Sequence, residues 1–500
     1  MRPRLLIAIC LLGGLAMAAP LQIRVATFNA SLNRSSLGRL ATDLSTPNNA
    51  QAEEIAEIIQ RVRPDVILIN EFDYDAANPS LALNRFHDNY LAVPQNGQGP
   101  LSFPHRYIAP SNTGVPTGAT TANDGDFDNN GTVTTTPGSN NYGNDCFGFG
   151  LFPGQYSFAV YSRFPINTAA IRTFRLFKWK DMPGHVMPAG FYTAAEQNIF
   201  RLSSKNHVDL PIEVQPGFVF HLLASHPTPP AFDAAEDRNG RRNHDEIRLW
   251  ADYISNAQYL SDDAGASGGL ESERRFIILG DLNADPNDGD SYQNAVDQLR
   301  NHPLVNASAN PASPGGTQQA QLQGGVNNSH DGDPAFDTSD FNDFNVGNLR
   351  VDHVLPSKLG FSITASGVFW PLNNDPTFPL VDATDHRLVW LDLAVLPIPR
   401  EATREFKATR QNDDVVLTWR TQPGVTYRVE QSTDLTSWTA TPEIPIVLDL
   451  ASDSATATDP LGGAQKFYRL VLSLEQTAGL RESRASVTSQ APKRPRKRDR

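Results

Sequence analysis

Short apolar runs, rich in β-branched residues, recur along the first 396 positions, and each ends on polar side chains. Phe276-Ile277-Ile278-Leu279 halts at Gly280 and delivers Asp281 and Asn283, which share one side of an extended chain. Ile23 to Phe28 leads to Asn29, Val66 to Ile69 leads to Asn70 and Glu71, and Phe220 to Ala224 leads to Ser225 and His226. Leu349 to Leu355 carries Asp352 within it, and Asp382 to His386 opens directly into the strand-like Leu388-Val389-Trp390-Leu391. One acid at a strand mouth is a turn. Several acids, two amides and two histidines repeating that placement describe an assembled site.

Two segments carry helical periodicity instead. Gln51 to Val62 places Ile55, Ile58, Ile59 and Val62 on one face, and Arg242 to Leu260 does the same with Ile247, Trp250, Ile254 and Tyr259. Helices laid against strands predict a layered α/β domain over residues 21–396. Within it, 96–144 and 306–343 are rich in Gly, Asn, Asp, Thr and Pro and read as long loops. A Pro-containing linker at 397–403 precedes four short strand patterns in 404–475, a small all-β sandwich. Residues 476–500 are polar and end in a Lys/Arg run, which predicts a disordered basic tail able to contact a polyanion.

The N-terminus changes the picture of where the chain works. Arg2 and Arg4, the apolar stretch Leu5 to Leu15 and Ala16-Met17-Ala18 have the layout of a cleaved signal peptide over 1–18, too short to span a bilayer. The expectation is a secreted or periplasmic bacterial protein, a monomer without a transmembrane segment after signal removal. Only Cys146 would remain, so no intrachain disulfide forms, and with no base beside it this thiol reads as packed. A net charge of −13 excludes a general polyanion binder, although a local site can still hold phosphate.

The ordered strings ATFNA around Asn29, INEFD around Glu71, YSRFPI at 161–166, ASHPTPP around His226, GDLNADP at 280–286, RVDHVL at 350–355 and TDHRLVW at 384–390 resemble the endonuclease/exonuclease/phosphatase superfamily. The resemblance implies a four-layered α/β sandwich, two mixed β-sheets flanked by helices, and hydrolysis of phosphate esters by metal-assisted attack of water. It gives Glu71 as principal ligand of a divalent metal, Mg²⁺ first with Mn²⁺ or Ca²⁺ as alternatives, supported by Asn29 and Asp385. Asp281 orients or deprotonates the water, Asn283 donates to the phosphate, His386 faces the phosphate with Asp352 on its other ring nitrogen, and His226 binds phosphate or assists the leaving oxygen. Arg238 and Arg242 are candidate substrate contacts, together with Arg241, His185 and His207.

Each residue has a plainer reading, as turn former, loop cap or partner of Arg350 or Arg387. Asn70 stands where the family usually has Gln, and His353 where Tyr is commoner. The substrate stays open between nucleic acid, a phosphomonoester and a phospholipid, and a catalytically silent adhesion or scaffolding protein is the rival from another class. Asp124, Asp126 and Asp128 alternate in a loop that fails the EF-hand pattern, with Gly131 too late and no Glu at the end, so they read as a solvated acidic turn. Asp331, Asp333, Asp337, Asp340 and Asp343 are read in the same way.

Overall fold

A computed structural model describes residues 20–396, except 120, 122, 123 and 216, together with 398 and most positions from 406 to 474. The proposed signal peptide, most of the linker and the basic tail lie outside the described residues. The chain forms two compact units that divide near residue 405.

Period-2 patterning builds the first unit. Its strands are β1 (Gln22–Asn29), β2 (Val66–Asn70), β3 (His105–Ile108), β4 (Phe158–Ser162), β5 (Arg172–Thr173), β6 (His207–Gln215), β7 (Phe218–Ser225), β8 (Arg275–Asp281), β9 (Ser339–Asp340), β10 (Asn348–Leu349), β11 (Asp352–Pro356), β12 (Phe361–Val368) and β13 (Val389–Val395). One sheet runs in the order β12-β13-β1-β2-β4-β3 and the other β11-β8-β7-β6-β5. Each has one parallel pair, β1 with β2 and β7 with β8, among antiparallel neighbours. Both are therefore mixed.

Alternate residues of each strand serve different layers. Val25, Val66 and Leu68 meet Leu222, Ile277, Leu279 and Val354 in a core between the sheets. Ala26, Phe28, Ile67 and Ile69 point the other way, onto the helix Ala50–Val62 through Ile55, Ile58, Ile59 and Val62. Phe276 and Ile278 likewise face the helix Arg238–Ile254 through Ile247, Trp250 and Ile254. Helix, sheet, sheet, helix gives the four layers. At about 25 cal/mol per Å², burial of these three clusters is the main stabilising term.

Three expectations shift in detail. The second helix begins at Arg238, a turn earlier than its apolar face shows, and ends at Ile254, so Tyr259 lies beyond it. The run 349–355 is not one strand: Asn348–Leu349 pairs with Ser339–Asp340, and β11 then pairs with β8. The loop 306–343 contains a ten-residue helix, Pro314–Gln323, whose Ser313 side chain accepts from Gly316 N. Two Gly and five polar residues among its ten leave no apolar face to announce it.

The second unit, taken by itself, is all β. Strands Lys407–Gln411, Asp414–Arg420, Ile446–Asp449 and Ser454–Pro460 form one sheet and Val425–Ser432, Thr439–Ala440 and Phe467–Leu474 another. Leu417, Trp419, Ala455 and Ala457 from the first sheet pack with Val429 and Leu470 from the second.

Candidate active site

The same alternation that fills the inter-sheet core places polar groups at its open end. Asn29 continues the face of Val25, Asn70 that of Leu68, Asp281 that of Leu279, and Asp352 that of Val354. Asn29 lies opposite Asn70 in the parallel β1–β2 register, and Asp352 lies opposite Asp281 in the antiparallel β11–β8 register. Two pairs from two sheets thus meet where the core ends. Asn70 ties the sheets together: its Oδ1 accepts from Asp281 N at 3.2 Å and its Nδ2 donates to Ser225 O at 3.3 Å.

The backbone bends sharply just past both strands. Glu71 and Asn283 have φ of 59° and 50°, a left-handed conformation that costs an ordinary residue about 1 kcal/mol or more and is held only by its surroundings. Gly280 has φ of 149°, and a Cβ there would meet Ser225 O at 2.1 Å, so the sharp approach of β8 to β7 requires glycine.

Asn29 is the hub. Its Nδ2 lies 3.2 Å from Glu71 Oε1, 3.0 Å from Asp281 Oδ2 and 3.4 Å from His386 Nε2, while its Oδ1 accepts from Ser31 N. His386 Nδ1 meets Asp352 Oδ2 at 2.8 Å, and Thr338 Oγ1 donates to that same oxygen at 2.9 Å. On the other side His226 Nε2 lies 3.3 Å from Asp281 Oδ2. Asn283 N donates to Asp281 Oδ1 at 2.9 Å.

Burial works against a charged His386, but the carboxylates of Asp352 and Asp281 outweigh it and raise the imidazole to about 10. Burial likewise opposes a charged Asp281, yet His386, His226 and Asn29 hold it well below the usual carboxylate range. His226 is driven the other way, down to about 4, by burial and then by Lys205. At neutral pH the centre therefore holds an imidazolium, an ionised aspartate and a neutral imidazole. With Nε2–H donated to Asp281, His226 Nδ1 is left as a buried acceptor without a partner among the described residues.

Glu71 fits a hard divalent cation. Its carboxylate takes hydrogen bonds from two neutral amides, Asn29 and, at 2.8 Å, Asn33, and burial raises its pKa. Asp385, exposed, adds like charge. Asp352 Oδ1 is buried with no partner among the described residues. An oxygen-rich, negatively charged mouth of this kind matches the donor preference of Mg²⁺ or a similar ion. Asn29 turns its Nδ2 toward the carboxylates.

One predicted substrate contact is corrected. Arg242 is buried and donates to the carbonyls of Leu202, Phe147 and Arg201, so its fork is spent on holding the loop before β6. Arg238 pairs with Glu236 and has no contact with the cluster among the described residues. His207 is also structural, held between Ser203 Oγ and Glu246 O. Asn283 uses one amide N–H on Pro227 O, which leaves the other for a ligand. Arg350 bonds Asn310 and Arg387 pairs with Asp340, so neither makes the contact with Asp352 that the plainer reading offered. Cys146 is a packed thiol as expected, its pKa pushed up to about 12 by burial.

Sequence reasoning missed Asn33 and Thr338, which fix Glu71 and Asp352. It also missed Lys205, a buried lysine whose Nζ donates to Pro227 O beside His226. None lies at the end of an apolar run, the signal that revealed the others.

Residues 26–386 match the model of the Endonuclease/Exonuclease/phosphatase family. The chain belongs to this family. It is accordingly a hydrolase of phosphate esters from a divalent-metal-dependent family, and Asp281, Asp352 and His386 form a group that could hold such an ion. Among solved structures it is similar to an endonuclease/exonuclease/phosphatase from Beutenbergia cavernae, with 15% identity, TM-score 0.41 and coverage of 90% of this chain and 100% of that one. A family protein from Leptotrichia buccalis shares 12% identity, with TM-score 0.38 and coverage of 74% and 99%. The human Nocturnin catalytic domain with bound sulfate shares 13%, with TM-score 0.36 and coverage of 76% and 95%. No curated protein gives a significant match.

Proposed function

We propose that this chain is an exported phosphoesterase that uses a divalent metal, Mg²⁺ foremost, to hydrolyse phosphate esters by direct attack of water. The observation that carries the reading is the Asn29 amide that joins Glu71, Asp281 and His386, with Asp352 behind the imidazole. Export rests on the layout of residues 1–18 alone.

Glu71, with help from Asp385, would hold the ion, which when bound would supply positive charge against the phosphate oxygens. Asp281 accepts a hydrogen bond from the attacking water and fixes its direction toward phosphorus. His386 Nε2–H, kept cationic by Asp352, faces the phosphate oxygens on which negative charge grows. The free N–H of Asn283 supports the same oxygens. His226, neutral, donates its Nε2–H to Asp281 and keeps the water-orienting carboxylate aligned.

The substrate class is tested by assaying the purified full-length chain with Mg²⁺ against DNA, RNA, phosphomonoesters, small phosphodiesters and phospholipids. Hydrolysis of at least one class that disappears in Asp281→Asn supports the reading. A folded, metal-supplied chain that cleaves none of them is instead the silent scaffold.

A further inference from the structure

The acidic loop read above as solvated is neither solvated nor without a ligand-like pattern. Asp126 and Asp145 are buried, Asp145 to 2% exposure, and Asp128 is half-buried. Each of the three offers a carboxylate oxygen within 4.8 Å of the others'. That is the greatest separation two oxygens can have when both sit about 2.4 Å from a common Ca²⁺.

The count from Asp126 also differs from the count from Asp124. Asp126, Asp128 and Asn130 take positions one, three and five, and Gly131, with φ of 86°, takes position six, where an EF-hand loop needs its turn. Gly131 N and Asn130 N donate to the two oxygens of Asp126 at 2.7 and 3.0 Å, so the turn wraps around the first carboxylate. Position twelve is Pro137, and no Glu follows. Asp145 stands in that place in space, though not in sequence.

Asp145 supplies the independent sign of a ligand. Its Oδ2 accepts from Thr134 N at 2.7 Å, while Oδ1 is buried without a partner among the described residues. An ionised oxygen sealed from water and facing two more carboxylates costs several kcal/mol unless a cation meets it. Among the described residues, the donors that reach the three groups are neutral: backbone N–H, and the amides of Asn130 and Asn144 on Asp128.

We propose that Asp126, Asp128 and Asp145 hold a Ca²⁺ ion, distinct from the catalytic ion, that fixes the 109–155 insert onto the outer face of the second sheet. Phe127 lies between two of the ligands, and its ring meets Phe200 edge-on at 4.3 Å and Phe147 at 6.3 Å. Holding Asp126 and Asp128 on one ion therefore holds Phe127 in that aromatic cluster.

The test separates the two metal sites by removing the catalytic one. The full-length Glu71→Gln chain, stripped by chelator and dialysed, is titrated with Ca²⁺ by equilibrium dialysis and by thermal melting. One Ca²⁺ per chain and a midpoint raised by several degrees are expected. Adding Asp128→Asn or Asp145→Asn should abolish both effects, while Asp124→Asn, at an exposed residue bonded to Thr121, should preserve them. Should the Asp145 variant not fold, the half-exposed Asp128 variant carries the test. Unchanged Ca²⁺ stoichiometry in Asp128→Asn, or equal binding of Mg²⁺ at the same concentration, overturns the proposal.

Discussion

At the scale of single residues, the centre works by placing opposed charges where burial would forbid either alone. His386 keeps its proton because Asp352 stands 2.8 Å from Nδ1, and Asp352 is itself held by Thr338. His386→Ala and Asp352→Ala should each lower turnover by about 10² to 10⁴, the range for a positioned acid–base group. The double variant should lose far less than the product, because the two act as one unit. Steady-state rates of the four proteins check this, and multiplicative losses would separate the residues. A second residue-scale prediction concerns His207, whose buried ring is pushed down from 6.5 to about 4 by loss of solvent. The unfolded chain takes this proton near pH 6.5 and the folded chain only near 4, so stability falls as pH falls through that window. The expected slope is about 1.4 kcal/mol per pH unit for this group. Denaturant melts between pH 7 and 4.5 should show a slope shallower by about one proton in His207→Gln; an unchanged slope would contradict the assignment.

At the scale of elements, strand ends aim the chemistry. The strand pattern made Asn29, Glu71 and Asp281 legible, because an apolar run that stops abruptly on an acid or amide is visible without a structure, whereas Asp352, inside a run, and His386, ahead of one, took their roles from the family resemblance. The pairing that makes them one site was not legible, since β1 and β8 lie about 250 residues apart and meet only through sheet packing. Thr338 and Asn33 stayed hidden for a related reason: they come from irregular chain whose position is set by its neighbours rather than by any period. Arg242 misled because a basic residue in a polar segment looks exposed until the carbonyls around it are seen. Gly280 tests the element scale directly. Gly280→Ala would bring a Cβ to 2.1 Å from Ser225 O, forcing β8 from β7. The variant should be destabilised by more than about 1 kcal/mol and should lose activity beyond that loss, because Asp281 moves with the strand. Melting temperature and rate measured together check it; a normal rate in a folded Gly280→Ala chain would show that the close approach is dispensable.

At the scale of the whole molecule, two sheets share one core, and the centre occupies the end at which that core runs out of apolar residues. Alternation in strands and 3.6-residue periodicity in two helices made a layered α/β domain readable from residues 21–396, while the number of layers, four, was what the family resemblance implied. Among the described residues no helix is long and apolar enough to cross a membrane. The fold brings Glu71, Asp281, Asp352 and Asp385 together around the His386 imidazolium, with Lys205 and Arg387 close enough to act on them by charge. An oxygen-rich acidic set of this kind suits a divalent ion. The most direct measurement is the rate of the chelator-stripped, dialysed full-length chain on its best substrate, with Mg²⁺ added back over a range of concentrations, beside the same titration of Glu71→Gln. No turnover without Mg²⁺, recovery on addition, and a Glu71→Gln chain that needs far more ion or stays about 10²-fold slower is the predicted result. Full turnover in excess chelator would contradict the account.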